Sequence, residues 1–262
     1  MSSIKTRTEA GVFMVTLAQP QTRNAITGED MLEELLDAIN DAETDPDIGV
    51  LIIDAEGPAF SSGGNVKDMV EKIGLFEGSP SEIIERYRVT IQQLTRMLAT
   101  TDLVTIAAVN GPAIGAGFDL VLGCDLRLGT SRASFAHTFI ELGIISGDGG
   151  AWLLPRVVGW QRATELAMTA RSIDADTAVD WGILLEVVPD SKLSIRVMEL
   201  ALEIASKPRP AVVMAKRLLR QSKNMDLDGF LEYSAALQAV AHTTPEHEAA
   251  VASYVERLKS RD

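Results

Sequence analysis

Two nearly continuous apolar segments most constrain the fold of this chain. Residues 49–55 read GVLIIDA and residues 105–109 read TIAAV, and each leads into a turn of small residues. A strand without alternation of polar and apolar residues is typical of a parallel sheet that is covered on both faces. We therefore expect an α/β fold in which these two segments are buried parallel strands.

The periodicity of apolar residues predicts the elements around these two strands. Further strands are predicted at Val12–Leu17, Leu126–Leu128 and Leu184–Val188. Helices are predicted from an N-cap at Thr27 to about Ala42, over 81–99, from about Pro112, and over 160–170, 174–181, 191–205, 208–222, 226–241 and 245–259. The last third of the chain is thus expected to be mainly helical.

A joint between the α/β part and the helical tail is predicted at Pro208 and Pro210. We expect residues 1–205 to form the core and residues 206–262 to form a helical C-terminal region. Because several helices of this region carry apolar faces, we expect it to take part in oligomerisation.

The charge balance excludes several classes of partner. The chain has 37 acidic and 24 basic residues, a formal net charge of −13. Such a surface repels nucleic acids and anionic membranes. The segment MSSIKTRTEAG lacks the apolar run of a signal peptide, and no stretch approaches the roughly 18 apolar residues of a membrane span. The single Cys124, expected in the core, excludes an internal disulfide, so we expect a reducing, cytoplasmic location.

Small residues fill the turn after each central strand, SSGG at 61–64 and GPAIGAG at 111–117. Turns of Gly, Ala and Ser leave backbone N–H groups unscreened by side chains. The second turn lacks both the GxGxxG spacing of dinucleotide sites and the terminal GK[ST] of phosphate loops. We expect a helix N-terminus there that favours a developing oxyanion, with Asp119 three residues beyond Ala116 to move a proton.

The sequence gives little support for a metal site or for a serine-hydrolase triad. His137, His242 and His247 lack metal-ligand spacing with acids or with the cysteine, so no metal site is expected. A Ser-His-Asp triad through Ser62 or Ser146 is disfavoured because no GxSxG elbow is present.

Four motifs resemble those of the enoyl-CoA hydratase/isomerase (crotonase) superfamily. AFSSGGNVKDM and VNGPAIGAGFDLVLGCDLRLG are similar to its two signature regions, FAHTFIELGIISGDGGAWLLPRVVG at 135–159 to a third region, and RNAI at 23–26 to its opening motif. The likeness extends from about Val12 to Val188. It implies a spiral of ββα units with a helical C-terminal trimerisation region, assembled as a homotrimer or a dimer of trimers.

The resemblance implies roles for individual residues. The backbone N–H groups of Gly64 and Ala116 would form an oxyanion hole for a thioester carbonyl, with Asp119 as an acid/base group. The second glutamate of the hydratases aligns with Phe139, which transfers no proton. Asp148 is the candidate replacement; Glu141, which strand alternation could turn outward, and His137 stay open as further candidates.

Coenzyme A enters as part of the substrate, and no permanently bound cofactor is expected. Its phosphates require local positive charge on this acidic chain, for which Arg23 and Lys67 are candidates. The backbone near Ala25 and Ser62 is expected to hold pantetheine and adenine. Further basic residues, Arg257, Lys259 and Arg261, lie near the C-terminus and could reach a neighbouring subunit's cofactor.

The resemblance favours a proton shift at the α or γ carbon of an enoyl-CoA, because the pair of glutamates needed for hydration is absent. Isomerisation is therefore expected before hydration. Two alternatives stay open, namely carbon–carbon bond hydrolysis of a diketone, suggested by SGDGG, and a CoA-binding subunit with little catalysis.

Overall fold

A six-stranded sheet and a smaller three-stranded sheet organise the chain in the computed structural model, which describes residues 2–260. The strands are β1 (Ile4–Glu9), β2 (Val12–Leu17), β3 (Val50–Ala55), β4 (Val104–Val109), β5 (Ala113–Ile114), β6 (Leu126–Gly129), β7 (Ser134–Ala136), β8 (Ser172–Asp174) and β9 (Glu186–Val187). The larger sheet has the order β1-β2-β3-β4-β6-β9 and the smaller one β5-β7-β8. Within the larger sheet only the β1–β2 pair is antiparallel.

Helices cover both faces of the larger sheet. They are α1 (Glu29–Thr44), α2 (Val66–Glu71), α3 (Pro80–Val89), α4 (Ile91–Thr100), α5 (Ala116–Gly123), α6 (Gly150–Val158), α7 (Trp160–Thr169), α8 (Ala175–Asp180), α9 (Leu193–Ala205), α10 (Arg209–Gln221), α11 (Leu227–Ala241) and α12 (Pro245–Lys259). Short 3-10 helices lie at Pro20–Thr22, Gly74–Phe76, Thr138–Leu142 and Asp190–Lys192. No helix among residues 2–260 combines the length and apolar character needed to cross a bilayer.

Strand β3 shows why the central apolar runs carry no alternation. Leu51 and Ile53 face the main core together with α1, α4 and α5, whereas Val50 and Ile52 face a second core that α9 covers. All four side chains are at most 2% exposed. Full burial of such a side chain contributes about 1.5–3 kcal/mol. The prediction of strands buried on both faces is confirmed.

The parallel pairing of β3 and β4 places their carboxyl ends side by side, with Ile53 opposite Ala107. The two small-residue turns that follow these strands therefore leave the sheet at one edge. The site described below is built at that edge.

The helix predicted over 81–99 is two helices, because the chain breaks at Thr90, where φ is −121° and ψ is −100°. The Thr90 hydroxyl donates to the Arg86 carbonyl, a local bond that competes with helix continuation. Arg96 donates to the Arg88 carbonyl at 2.8 Å and so satisfies a group that the break leaves free. A single apolar stripe runs across the break, which is why periodicity alone missed it.

Two predicted helix starts were also wrong. The helix expected near Pro112 begins at Ala116, because the preceding segment is held extended by a bond from the Ile114 N–H to the Ser61 carbonyl at 2.9 Å. The helix expected after Thr27 has Gly28 as its N-cap. The Thr27 hydroxyl instead accepts the Asn65 N–H at 2.9 Å, a tertiary contact that outweighs local capping.

The predicted joint at Pro208 and Pro210 coincides with the start of α10. Polar contacts tie this helix to the sheet side of the molecule: Lys216 Nζ lies 2.6 Å from Asp125 Oδ2, and Arg217 pairs with Asp102. The C-terminal helices thus begin on the chain's own core.

Candidate active site

Isolated backbone bridges join the first turn to the second turn on one side and to the segment at 23–25 on the other. Ser61 bridges Ala113, and Gly63 bridges Ala25. Gly63 has φ +77°, and a β-carbon added to it would lie 2.8 Å from the Ala116 nitrogen and closer still to the Ile114 carbonyl oxygen. The left-handed backbone and the close approach both require glycine.

Replacing Gly63 by alanine is expected to lower the free energy of unfolding by about 2–4 kcal/mol, since backbone strain and overpacking add at this position. Gly49→Ala is the matched control, because nothing lies within 4 Å of its added β-carbon. Urea denaturation of both variants measures the difference. A loss below about 1 kcal/mol for Gly63→Ala would contradict the packing of the two turns.

Two residues with unpaired backbone N–H groups line one cavity at this junction. The N–H groups of Gly64 and Ala116 both belong to residues that line a cavity of about 220 Å³. Neither donates a hydrogen bond to any acceptor in residues 2–260. Ala116 is the first residue of α5, so the helix dipole adds to the attraction for negative charge. The arrangement suits an oxygen that gains charge during a reaction.

The remainder of the cavity wall is mainly apolar. Met69, Leu75, Phe76 and Ile91 contribute to it, as does Phe139, at the position where sequence comparison with the hydratases would place glutamate. An apolar, water-poor wall strengthens every electrostatic interaction inside the cavity. The stabilisation of a charge that develops in the cavity therefore depends on the few polar groups in its wall.

Of the two predicted aspartates, Asp148 lines the cavity and Asp119 does not. Each is 4% exposed. Asp119 lies in the first turn of α5, behind the wall, and faces the segment that contains Ser146 and Asp148. The structure therefore brings the two carboxyl groups together but gives only one of them access to the cavity.

Burial and charge set the protonation of the groups behind the wall. Burial, and next the negative charge of Asp148, raise the pKa of Asp119 well above its ordinary value of 3.8. Burial lowers the pKa of His137. His137 Nε2 lies 3.6 Å from Asp119 Oδ1, beyond hydrogen-bond distance. Burial thus favours the uncharged form of both groups.

Glu141 also lines the cavity although its residue is exposed to solvent. Strand alternation, which could have turned it outward, does not apply, because residues 138–142 form a 3-10 helix. Tyr87 from α3 also lines the cavity, and burial raises the pKa of its hydroxyl. The sequence analysis placed residue 87 within the helix over 81–99 without a role in the site, and it considered Ser146 only for the disfavoured triad.

Of the four predicted CoA-binding residues, Ala25 and Ser62 lie at the first turn, whereas the two basic residues are exposed to solvent. Ser62 lines the cavity, and its N–H donates to the Arg23 carbonyl at 2.8 Å, while Ala25 is buried beside Gly63. Lys67 lies in α2, next to the cavity-lining Val66, and its side chain is exposed. Arg23 is exposed as well.

The C-terminal basic residues engage neighbours on their own helix. Arg257 lies over the Tyr254 ring at 5.8 Å, and Lys259 Nζ lies 2.9 Å from Glu256 Oε1. Arg261 lies outside the described residues. Within residues 2–260, no cluster of three or more His, Cys, Asp or Glu side chains is arranged to hold a metal ion.

Known proteins resemble this chain over nearly its whole length. The family model described as enoyl-CoA hydratase/isomerase matches residues 7–261. The chain is 30% identical over 237 residues to 4-chlorobenzoyl coenzyme A dehalogenase-1 of Arthrobacter sp, covering 88% of this chain and 83% of that protein. It is 30% identical over 256 residues to 1,2-epoxyphenylacetyl-CoA isomerase of Escherichia coli (strain K12), covering 97% and 96%.

The crystal structure of an enoyl-CoA hydratase from Bacillus anthracis superposes with a TM-score of 0.90 at 28% identity, covering 97% of this chain and 96% of that one. The expected fold class is thereby confirmed. The three similar proteins bear the names of three different reactions, so similarity alone does not select among them. The matched family model and these relatives together show that the chain belongs to the enoyl-CoA hydratase/isomerase (crotonase) family.

Proposed function

We propose that the protein is an enoyl-CoA isomerase that moves a proton between the α and γ carbons of an acyl-CoA thioester. One observation carries this proposal: a single cavity presents two unpaired backbone N–H groups, from Gly64 and Ala116, and one buried carboxyl, from Asp148. Members of the family act on CoA thioesters, whose carbonyl oxygen matches the two donors.

In this mechanism the thioester carbonyl accepts hydrogen bonds from Gly64 and Ala116. Removal of a proton from the α carbon places negative charge on that oxygen, where the two donors and the α5 dipole stabilise it. Asp148 accepts the proton and returns it at the γ carbon, so the double bond moves and no water is consumed.

Within residues 2–260 no buried acid besides Asp148 lines the cavity, and this disfavours hydration. Hydration requires one group to activate water and another to protonate carbon. The resemblance aligns Phe139, which lines the cavity, with the second glutamate of the hydratases, and Glu141 is the other acid besides Asp148 that lines the cavity within residues 2–260. Because Glu141 is exposed, water solvates it and weakens its influence on the reaction.

The aromatic part of the wall favours a second candidate, displacement of halide from an aryl-CoA. Phe76, Tyr87 and Phe139 line the cavity, and one relative at 30% identity is named 4-chlorobenzoyl coenzyme A dehalogenase-1. In this reaction a carboxylate oxygen attacks the ring carbon that bears the halogen, the halide leaves with the electrons of the carbon–halogen bond, and water then hydrolyses the aryl ester to free the carboxylate. Asp148 would supply that carboxylate.

For coenzyme A itself, we propose that the backbone of Ala25 and Ser62 holds pantetheine and adenine while Arg23 and Lys67 meet the phosphates. Both basic side chains are exposed; Arg23 lies in the segment at 23–25 that bridges Gly63, and Lys67 lies in α2. Local positive charge is needed because the chain carries a net −13.

We also propose that residues 206–262 act as an oligomerisation region beside a core of 1–205, giving a homotrimer or a dimer of trimers. Large apolar side chains of these helices are exposed, including Leu219 at 72% and Leu227 at 70%. Such apolar surface is typical of an interface. Light scattering on the purified chain measures the assembly directly.

The function is tested with a panel of thioesters followed by ultraviolet absorbance. Conversion of a 3-enoyl-CoA without hydration of crotonyl-CoA supports the isomerase. Hydration of crotonyl-CoA, chloride release from 4-chlorobenzoyl-CoA, or cleavage of a cyclic diketone each replaces it with the corresponding reaction. Calorimetric binding of coenzyme A without any turnover would identify a CoA-binding subunit.

A further inference from the structure

The hydroxyl of Ser146 lies between the two buried carboxyl groups. Ser146 Oγ is 3.0 Å from Asp119 Oδ2 and 3.0 Å from Asp148 Oδ1. It also accepts the Ala151 N–H at 3.2 Å. Two of these three contacts lie within its own segment, 146–151, and the third joins that segment to α5.

Counting hydrogens constrains the protonation of this group. A serine hydroxyl carries one hydrogen, so it donates to one carboxylate only. The other contact at 3.0 Å would place two lone pairs against each other unless that carboxyl carries a proton and donates to Ser146 Oγ. The geometry therefore requires one proton on the pair of carboxyls in addition to the serine's own.

The surroundings supply no positive charge that would allow both carboxyls to ionise. The titratable groups that face them are His137 from the end of β7, Tyr87 from α3 and Glu141 from the 3-10 helix at 138–142. No Lys or Arg lines the cavity within residues 2–260. Two adjacent negative charges at 4% exposure would repel each other without compensation.

The position of each carboxyl indicates which one holds the proton. Asp119 Oδ1 is buried and has no hydrogen-bond partner in the described part of the chain, which penalises an ionised group there. Asp148 lies at the cavity and directly before the N-terminus of α6, whose N-cap is Gly149. A helix N-terminus favours the negative charge.

We propose that Asp119, Ser146 and Asp148 form a carboxyl pair with a single shared proton, in which Asp119 keeps the proton and Ser146 relays the hydrogen bond that orients the ionised Asp148. The inference rests on the proposed function in taking Asp148 as the group that meets the substrate. Asp119 and Ser146 are then positioning residues, and neither transfers a proton to carbon.

The asparagine variant of Asp119 separates this role from direct catalysis. Asparagine has the shape of a protonated aspartate, and its NH₂ group donates to Ser146 Oγ as the acid does. Asp119→Asn should therefore keep kcat for 3-enoyl-CoA to within about tenfold of the wild type. A loss as large as that of Asp148→Asn would show that Asp119 itself transfers the proton and would overturn the proposal.

Removing the Ser146 hydroxyl should lower kcat more than Asp119→Asn does. Ser146→Ala should lower kcat by about 10²-fold, because an unheld carboxylate shifts out of its reacting position. KM should change far less than kcat, because the Ser146 hydroxyl orients Asp148 and does not line the cavity. Ser146→Thr should restore kcat, whereas Thr130→Val, which removes a buried hydroxyl elsewhere, should leave it unchanged.

A spectroscopic measurement tests the pair without any turnover, so it decides the inference even if the proposed reaction is wrong. Infrared difference spectra at neutral pH should show the carbonyl stretch of one protonated carboxyl in the wild type. That band should be absent from Asp119→Asn. A wild type without the band, or a band that Asp148→Asn removes and Asp119→Asn keeps, would overturn the assignment.

Discussion

Replacing Asp148 by asparagine is expected to lower kcat for 3-enoyl-CoA by about 10²–10⁴-fold, the usual contribution of a positioned acid/base group. Asp148 is the buried carboxyl of the cavity wall, and the amide of asparagine accepts no proton from carbon. Affinity for coenzyme A should change little, because the substitution does not touch the backbone of Ala25 and Ser62, which is proposed to hold it. Stopped-flow absorbance and calorimetry measure the two quantities separately.

Two variants accompany this experiment. Asp176→Asn changes an exposed aspartate in the first turn of α8 and should leave kcat unchanged. Glu141→Gln tests the other acid that lines the cavity. If Glu141→Gln abolishes turnover while Asp148→Asn retains it, the base is Glu141, and the mechanism assigned to Asp148 fails.

Replacing Ala116 by proline is expected to lower kcat by about 10²–10³-fold, since it deletes one of the two proposed oxyanion donors. Ala116 is the first residue of α5, a position that proline tolerates because its N–H has no partner within the helix. The fold should therefore survive, which circular dichroism verifies. The loss should appear in kcat more than in KM, because the donated bond strengthens as charge develops.

Ala116→Ser is the matched control, because it keeps the N–H and adds one small polar atom. Calorimetry with coenzyme A shows whether the proline ring obstructs binding. If Ala116→Pro binds coenzyme A normally and turns over 3-enoyl-CoA within about tenfold of the wild type, the Ala116 N–H stabilises no oxyanion.

Local sequence patterns were sufficient to predict the central strands and the C-terminal helices. The segments at 49–55 and 105–109 are nearly all apolar because both faces of β3 and β4 are buried, and consecutive residues of the sequence show this directly. Elements with weaker local signals were missed. Strand β1 exposes five of its six residues, and α6 contains Pro155, so neither has the apolar pattern on which such predictions depend.

Element boundaries departed from prediction where tertiary contacts outweigh local preference. Thr27 has the chemistry of an N-cap, but its hydroxyl binds the Asn65 N–H instead. The segment before Ala116 is held extended by the Ser61 carbonyl and by the Ala136 carbonyl, which accepts the Gly115 N–H at 2.9 Å. These partners are remote in the chain, and no window of neighbouring residues contains them.

By itself, the sequence determined the family and the parallel α/β core. Both could be predicted because each buried strand and the small-residue turn after it are contiguous in the sequence. It also identified Asp119 and Asp148 as a pair of candidates. Only the tertiary structure shows which of the two aspartates reaches the cavity. Asp119 is buried in α5 behind the cavity wall, whereas Asp148, in the loop before α6, lines the cavity. Depth relative to a cavity depends on how distant elements pack, and spacing along the chain does not contain it.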